Sequence, residues 1–250
     1  MPTAIVTGAS RGLGQALAQA LAERGWNLVL DARGAEDLHA AAAGLSPTAG
    51  GEVHAIPDIA DDRHRRELVD AAVAVGGIDL VVNNASLLGP SPQPRLTHYP
   101  LDAFEAVYEV NVTAVLGLVQ LALPVLLQSP QGAVLNVTSD AGVEAYEGWG
   151  GYGSSKAALE HLSKVLAAEE PGLRVWWVDP GDMNTRMHQE AFPDEDISDR
   201  PPPQDSVPGL LRLVEERPPS GRYQARPARE AGPQREPARE AGPDDGAGAA

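Results

Sequence analysis

The sequence predicts a doubly wound α/β fold: a single parallel sheet of about seven strands with helices on both faces. Three observations carry that reading. Short, nearly uninterrupted apolar runs rich in β-branched residues alternate with Ala- and Leu-rich stretches of helical period, as in sheets whose strands are buried on both faces and joined by helical crossovers. The alternation continues to Pro180 without a second pattern taking over, so one domain is expected. A glycine-rich turn separates the first strand from the first helix, at the strand ends where such sheets bind ligands.

Thr3 to Thr7 is a β-branched run leading into Gly8, and the apolar residues of Leu13 to Arg24 recur at helical spacing. Asn27 to Ala32 is the second strand and Ala35 to Ala43 an Ala-rich helix behind it. Glu52 to Ile56 is a third, shorter strand, after which Asp61 can cap the helix that runs to Val75. Ile78 to Asn83 is the fourth strand, and Asp102 to Leu127 is a long helix. The apolar part of that helix is interrupted by Asn111, Thr113, Gln120 and Pro124, which suits a buried amphipathic helix better than a membrane span. Ala133 to Thr138 and Arg174 to Val178 are the fifth and sixth strands, with a helix over Gly151 to Glu169 between them.

Beyond Pro180 the pattern weakens. The polar stretch of about 186–204, which contains three consecutive prolines, reads as a substrate loop passing over the site. A short helix at Val207 to Glu216 and a last strand at Gly221 to Gln224 close the sheet, giving a domain over 1–223. In the remainder, 224–250, Pro-Ala-Arg-Glu-Ala-Gly-Pro occurs twice. With little to bury, that tail is expected to be disordered.

Composition narrows the function. A chain of 250 residues with 43% hydrophobic content can bury a full core. The formal net charge of -16 argues against nucleic acid or an anionic membrane as partner. The chain has no cysteine, which excludes disulfides and thiolate chemistry, and its six His show no ligand-like spacing, so no metal is expected. Met1 leads directly into strand-like residues without a charged and apolar leader, which makes a cytoplasmic location the expectation.

Two motifs carry chemistry. Thr7-Gly8-Ala9-Ser10-Arg11-Gly12-Leu13-Gly14 opens the first helix, where glycines let a pyrophosphate approach backbone N–H groups at the positive end of the helix dipole. Tyr152-Gly-Ser-Ser-Lys156 sets a phenol and an ammonium one helical turn apart. Of the 19 basic residues only Lys156 and Lys164 are lysine, and an ammonium is a compact charge that can change protonation where a guanidinium cannot. Poising a phenol at neutral pH means lowering its pKa from ~10, about 4 kcal/mol. A cation about 5 Å away at an effective dielectric of about 20 supplies roughly 3 kcal/mol of that. An exposed Tyr and Lys stacked on a surface helix is the alternative that the spacing alone leaves open.

Together these residues resemble the short-chain dehydrogenase/reductase family, over residues 3 to 185 strongly and to Tyr223 weakly. Residues 7 to 14 are similar to the family's cofactor loop and Tyr152 with Lys156 to its catalytic motif. Asp58 with Ile59 resembles the adenine contact, Asn83-Asn84-Ala85 the turn after the fourth strand, Asn111 the helical catalytic Asn and Ser139 the catalytic Ser. Pro180-Gly181 with Thr185 resembles the segment that holds the nicotinamide. The resemblance implies a Rossmann-type oxidoreductase that moves a hydride between a nicotinamide and a small carbonyl or alcohol. Tyr152 would be the proton donor and acceptor, Ser139 the group that positions the substrate oxygen, and Lys156 the partner that lowers the phenol's pKa and binds the ribose. Asn111 would hold a water leading to solvent. Gly8, Ser10, Arg11, Gly12, Leu13, Gly14 and Asn84 join the cofactor set.

For the cofactor, Arg33 aligns just past the position where the family places its NAD-selecting acid, which here is Ala32, and Arg11 is a second cation. Two guanidinium groups favour the 2'-phosphate of NADP(H). A one-residue shift puts Asp31 on the ribose instead, so NAD(H) is the alternative. The resemblance also implies a homodimer or homotetramer through the long helix and the helix bearing Tyr152. A catalytically silent NADP-binding redox sensor or scaffold is the competing class, marked by loss of the Tyr, Lys or Ser, all of which are present.

Two departures from the family pattern stand out. The usual glycine after Asn-Asn-Ala is Ser86, so a turn normally given to glycine carries a side chain. Acids gather around the expected mouth: Asp140, Glu144, Glu147, Asp179, Asp182, Glu190 and Asp194 to Asp196. Such a rim would favour neutral or cationic substrates over anionic ones, unless it is only solvated surface. Tyr146 and Trp149 are candidate pocket walls.

Overall fold

The computed structural model describes residues 1–45, 53–55 and 59–226. Its strands are β1 (Thr3–Val6), β2 (Asn27–Leu30), β3 (Val53–Ala55), β4 (Leu80–Asn83), β5 (Ala133–Val137), β6 (Arg174–Asp179) and β7 (Gly221–Gln224). All pair in parallel, in the order β3-β2-β1-β4-β5-β6-β7. The helices are α1 (Gly12–Ala22), α2 (Ala35–Gly44), α3 (Asp62–Ala74), α4 (Leu101–Tyr108), α5 (Ala114–Leu126), α6 (Gly150–Glu169), α7 (Arg186–Ala191) and α8 (Val207–Glu216). Strand order reverses between β1 and β4, which makes their carboxyl ends the switch point of the sheet.

The continuous apolar strands of the sequence divide by alternation into two cores. Val6, Leu28, Leu30, Leu80, Val82 and Leu135 face one cluster, shared with Leu13, Leu17 and Leu21 of α1 and Leu210 of α8. Ile5, Val29, Val81, Val134 and Val175 face the other, against Leu68 and Ala72 of α3 and Ala114 and Leu118 of α5. A strand buried on both sides needs no polar face, which is why its sequence shows no period of two. Each such side chain contributes about 1.5–3 kcal/mol on burial.

Among these apolar layers runs one buried polar line. Asn83 and Asn136 are register partners on β4 and β5. Asn83 Nδ2 donates to Asn136 Oδ1 at 2.8 Å, Asn136 Nδ2 donates to Ser163 Oγ at 2.8 Å, and Ser163 Oγ donates to Leu159 O at 2.7 Å. A slip of one residue would strand these groups without partners, at about 1–3 kcal/mol each, so the line fixes how α6 sits on the sheet.

Two expectations are corrected. The long helix is not α-helical throughout: Glu109–Thr113 forms a π-helical turn in which the Ala114 N–H reaches Glu109 O, and Asn111 lies buried inside it. Bulges of this kind recur at functional positions in helices. Leu101–Leu126 is long and apolar enough to cross a membrane by length and composition, but Ala114, Leu118, Val119, Ala122 and Leu126 are core residues. The loop of 186–204 contains the short helix α7.

Contacts continue just past residue 223. Ala225 is buried and its N–H donates to Asp179 O at 2.9 Å, while Arg226 Nε donates to Pro180 O at 3.3 Å. The tail expectation for 227–250 lies outside the described residues, as do Asp58 and both ends of the expected third strand, Glu52 and Ile56. Arg222 ties β7 inward: its Nε is 2.9 Å from Glu160 Oε1 on α6, and its guanidinium also donates to Ser139 O at 3.4 Å.

Candidate functional site

The glycine loop is shaped by close approach. Gly8 has φ 66, in the left-handed region that favours glycine, and a Cβ on Gly14 would collide with the Gly8 carbonyl oxygen. Helix α1 starts with no side-chain cap and no acid in its first turn. By contrast α2 and α3 carry Glu36, Asp37 and Asp62 there. The N–H groups that open α1 are thus left for an anion. This is the fit that the pyrophosphate of a dinucleotide requires.

The loop is locked to the turn after β4. Thr7 Oγ1 donates to Val82 O at 3.3 Å and accepts from the N–H groups of Asn84 and Ala85, both at 3.0 Å. Asn84 Nδ2 returns to Thr7 O at 3.0 Å and Gly8 O at 3.1 Å. Asn111 then holds the other end of that turn. Its Oδ1 accepts from Leu87 N at 2.7 Å and Ser86 Oγ at 3.1 Å, and its Nδ2 donates to Leu87 O at 3.0 Å and Ser155 Oγ at 2.9 Å. Two acceptor sites and two donors are everything an amide offers. The Asn111 side chain is therefore a girder between the turn and α6.

Tyr152 and Lys156 lie on the inner face of α6, 8% and 2% exposed, which excludes the surface-stack alternative. Lys156 Nζ donates to Val137 O at 2.9 Å and stands 5.5 Å from the centroid of the Tyr152 ring. The expected lowering of the phenol's pKa by the ammonium is not what this geometry produces. Burial raises the Tyr152 pKa well above its usual value; Ser86 hydrogen bonding opposes it, Asp140 and Asp179 add to it, and Ser139 opposes it more weakly. Burial also lowers Lys156, to about 8. One desolvated environment destabilises phenolate and ammonium alike. Ser139 Oγ donates to Asp140 Oδ1 at 2.9 Å and accepts from Ala141 N at 3.2 Å.

These groups border a cleft of about 510 Å³ along the carboxyl ends of the strands. From the glycine loop it is lined by Gly8, Ser10, Arg11, Gly12 and Leu13, and farther along by Arg33, Ile59 and Asn84. Tyr152, Lys156, Pro180 and Thr185 complete the expected contacts. Gly14 packs behind the loop, Gly181 lines only an adjoining recess of about 100 Å³ with Ser139, and Tyr152 lines both spaces. Thr185 also caps α7 by accepting from His188 N at 3.3 Å. Asp31 is fully buried, whereas Arg11 and Arg33 stand exposed at the edge.

The recess collects part of the acidic rim. Asp140, Asp179 and Asp182 line it, and burial raises the pKa of Asp179. Glu190 lines the large cleft but is ion-paired to Arg186 at 2.7 Å, and Glu147 is paired with Arg95 outside both spaces. Trp149 is a recess wall, as expected; Tyr146 instead donates to Asp140 Oδ2 at 3.0 Å. Sequence reasoning missed Thr138, Met183 and Met187, which line both spaces, and Asp37, which lines the large one. Thr138 was findable as the residue leaving β5; the methionines lie in the polar loop, where no period marks a facing side. Among the described residues no His, Asp and Glu cluster could hold a metal.

Comparison with known proteins gives the same picture. Residues 2–196 match the family model described as short chain dehydrogenase. The rhamnolipids biosynthesis 3-oxoacyl-[acyl-carrier-protein] reductase of Pseudomonas aeruginosa is 39% identical over 193 residues, covering 74% of this chain and 73% of that protein. A short chain dehydrogenase from Shigella flexneri 2a complexed with NADP superposes with TM-score 0.84 at 31% identity, covering 90% of this chain and 97% of that one. One from Escherichia coli CFT073 complexed with NADPH gives TM-score 0.83 at 32% identity with the same coverage.

The depressed pKa of Lys156 has a consequence for stability. Between about 8 in the folded protein and ~10.4 in the unfolded chain, only the unfolded chain holds the proton, so the stability at this position rises with pH across that window. Lys156→Met removes the titration. Urea unfolding should show the wild type gaining on the variant by about 2 kcal/mol between pH ~7.5 and ~10; parallel pH dependences would count against it.

Proposed function

The chain belongs to the short chain dehydrogenase family, and from that membership we propose an oxidoreductase that exchanges a hydride between NADP(H) and a small carbonyl or alcohol, with Tyr152 as proton donor and acceptor. The observation that carries the reading is the placement of Tyr152 in the wall shared by the two spaces. The large cleft has the glycine loop at one end and suits a dinucleotide; the small recess has Ser139 and suits the reacting end of a substrate. A group that must touch both partners of a hydride exchange belongs at that boundary.

When bound, the nicotinamide supplies or accepts the hydride. The protein's part is the proton and the geometry. Tyr152 gives its proton to the substrate oxygen in the reductive direction, and in the buried site a protonated phenol is its resting state, which suits a donor. Ser139 holds the substrate oxygen near that phenol. Lys156, anchored on Val137 O, places a cation 5.5 Å from the centre of the phenol ring and would hold the cofactor's ribose. Asn111 keeps the turn after β4 and α6 at fixed separation, so its contribution is positional.

NADP(H) is the cofactor we favour. Support comes from the two exposed guanidinium groups, Arg11 and Arg33, at the cleft edge; Asp31, which also lines the cleft, is the residue that would serve NAD(H) instead. For the substrate, the three carboxylates in the recess favour a neutral or cationic molecule over an anion. The chain also leaves Leu101 and Leu116 exposed on the long helix, which supports association as a homodimer or homotetramer, read directly by light scattering at several concentrations.

Tyr152→Phe should cut turnover by about 10²–10⁴-fold with NADPH binding intact by fluorescence titration; substantial remaining turnover would remove Tyr152 from the chemistry. Arg33→Ala should raise the KM for NADPH about tenfold or more and leave that for NADH nearly unchanged, since a charge-assisted contact contributes about 1.5–3 kcal/mol. Equal losses with both cofactors would point to a structural role. Among substrates matched in all but charge, the cationic one should have the higher kcat/KM, with the advantage shrinking as salt is added. Preference for the anion would rule out steering by the rim.

A further inference from the structure

Strand order places β2 and then β3 beyond the glycine loop, on the side away from β5, where Lys156 is anchored. A dinucleotide with its pyrophosphate at that loop and its reacting end beside Tyr152 lays its other half across the carboxyl ends of β2 and β3. Ile59 and Ala60, in the turn that follows β3, line the cleft there. Because β3 is the outermost strand, this turn has sheet on one side only. Arg65, near the start of α3, supports it from behind: Nη1 donates to Ile59 O at 2.8 Å and to Ala60 O at 3.0 Å. Arg65 is 7% exposed, and it does not itself line the cleft. Its ion pair with Asp62 is long, at 3.4 Å, and that carboxylate is exposed and shared with Arg66, so the two carbonyls are its principal partners.

We propose that Arg65 is a positioning residue for the adenosine half of the cofactor, a buried guanidinium that fixes the turn of Ile59 and Ala60 as the wall on which that half rests. The assignment rests on the reading of the cleft as an NADP(H) site. The turn is held from two directions. Below, Ile59 belongs to the core cluster that contains Val29, Leu68 and Leu118. Behind, one charged donor takes two successive carbonyls and so fixes their mutual direction, with bonds roughly twice as strong as those between neutral groups.

The neighbouring helix is shaped to admit this side chain. A Cβ on Gly117 of α5 would stand 3.0 Å from Arg65 Nε, closer than packed atoms sit, so the glycine leaves the guanidinium its place. The rest of the cleft is braced separately. Thr7, Asn84, Asn111 and Ser155 tie the glycine loop to the helix that carries Tyr152, and Arg65 takes no part in those bonds. Loosening the turn after β3 should therefore weaken one half of the cofactor site and spare the other.

The test titrates the full-length protein with NADPH and with the two halves of the cofactor, adenosine 2',5'-bisphosphate and reduced nicotinamide mononucleotide. Arg65→Met should raise the Kd for NADPH and for the bisphosphate about tenfold and leave that for the mononucleotide unchanged. Arg65→Lys, which keeps a charged donor on a long stem but loses the planar fork, should bring the bisphosphate back to within about threefold of wild type. Gly117→Ala serves if the methionine variant misfolds: alanine favours the helix while its methyl crowds the guanidinium, so the same selective loss should appear at about threefold. Unchanged binding of the bisphosphate, or equal losses for both halves, overturns the assignment, since a residue that only stabilises the fold would not distinguish them. Failure of the wild type to bind NADPH would instead overturn the cofactor reading beneath it.

Discussion

The hydrogen bonds between Thr7 and Asn84 set the span of the whole site. Thr7 ends β1 and begins the glycine loop; Asn84 begins the turn after β4. Because Thr7 Oγ1 takes the N–H groups of Asn84 and Ala85, and Asn84 reaches back to the carbonyls of Thr7 and Gly8, neither loop can move without the other. The clamp continues from Leu87 through Asn111 to Ser155, and so to the helix that carries Tyr152 and Lys156. A chain of largely part-buried hydrogen bonds thus runs from the end of the cleft that suits a phosphate to the end that suits a proton transfer. Buried polar groups are costly unless every partner is present, and that all-or-none character makes the spacing definite.

The same burial governs the chemistry. Taking a phenol and an ammonium out of water opposes charge on both, so the neutral phenol is favoured and the lysine becomes easier to deprotonate. A Coulombic argument based on spacing alone, with an effective dielectric near that of a surface, misses this because both groups change environment together. What opposes the rise in the phenol's pKa is local: the hydroxyl groups of Ser86 and Ser139. The architecture provides these cheaply, since in a parallel sheet every strand delivers its following residue to the same edge.

Most of the fold was legible because each strand is a short apolar run and each helix a periodic one. All seven strands and the helices of the first 180 residues were placed with boundaries within a few residues. The catalytic candidates came from other signals: Tyr152 and Lys156 from their spacing and the scarcity of lysine, Asn111 and Ser139 from the family resemblance. What escaped was whatever depends on a backbone detail or a three-body contact. The π-helical turn at Glu109–Thr113 has no side-chain signal, since Val110, Val112 and Thr113 suit an ordinary helix equally well. The saturation of Asn111 needs Leu87 and Ser155, remote in sequence. Within the acidic rim, the sequence could not separate Asp140 and Asp179, which face the recess, from Glu147, which is spent on Arg95.

The near absence of lysine acquires a meaning beyond the position that keeps one. Positive charge on this chain is borne almost entirely by arginine, which stays protonated. Between the histidine and tyrosine ranges the buried Lys156 therefore titrates with few neighbours of its kind. The protein's long-range field is effectively constant over the interval in which the buried ammonium changes state, so the molecule supplies its own fixed electrostatic background against which that one proton can be followed.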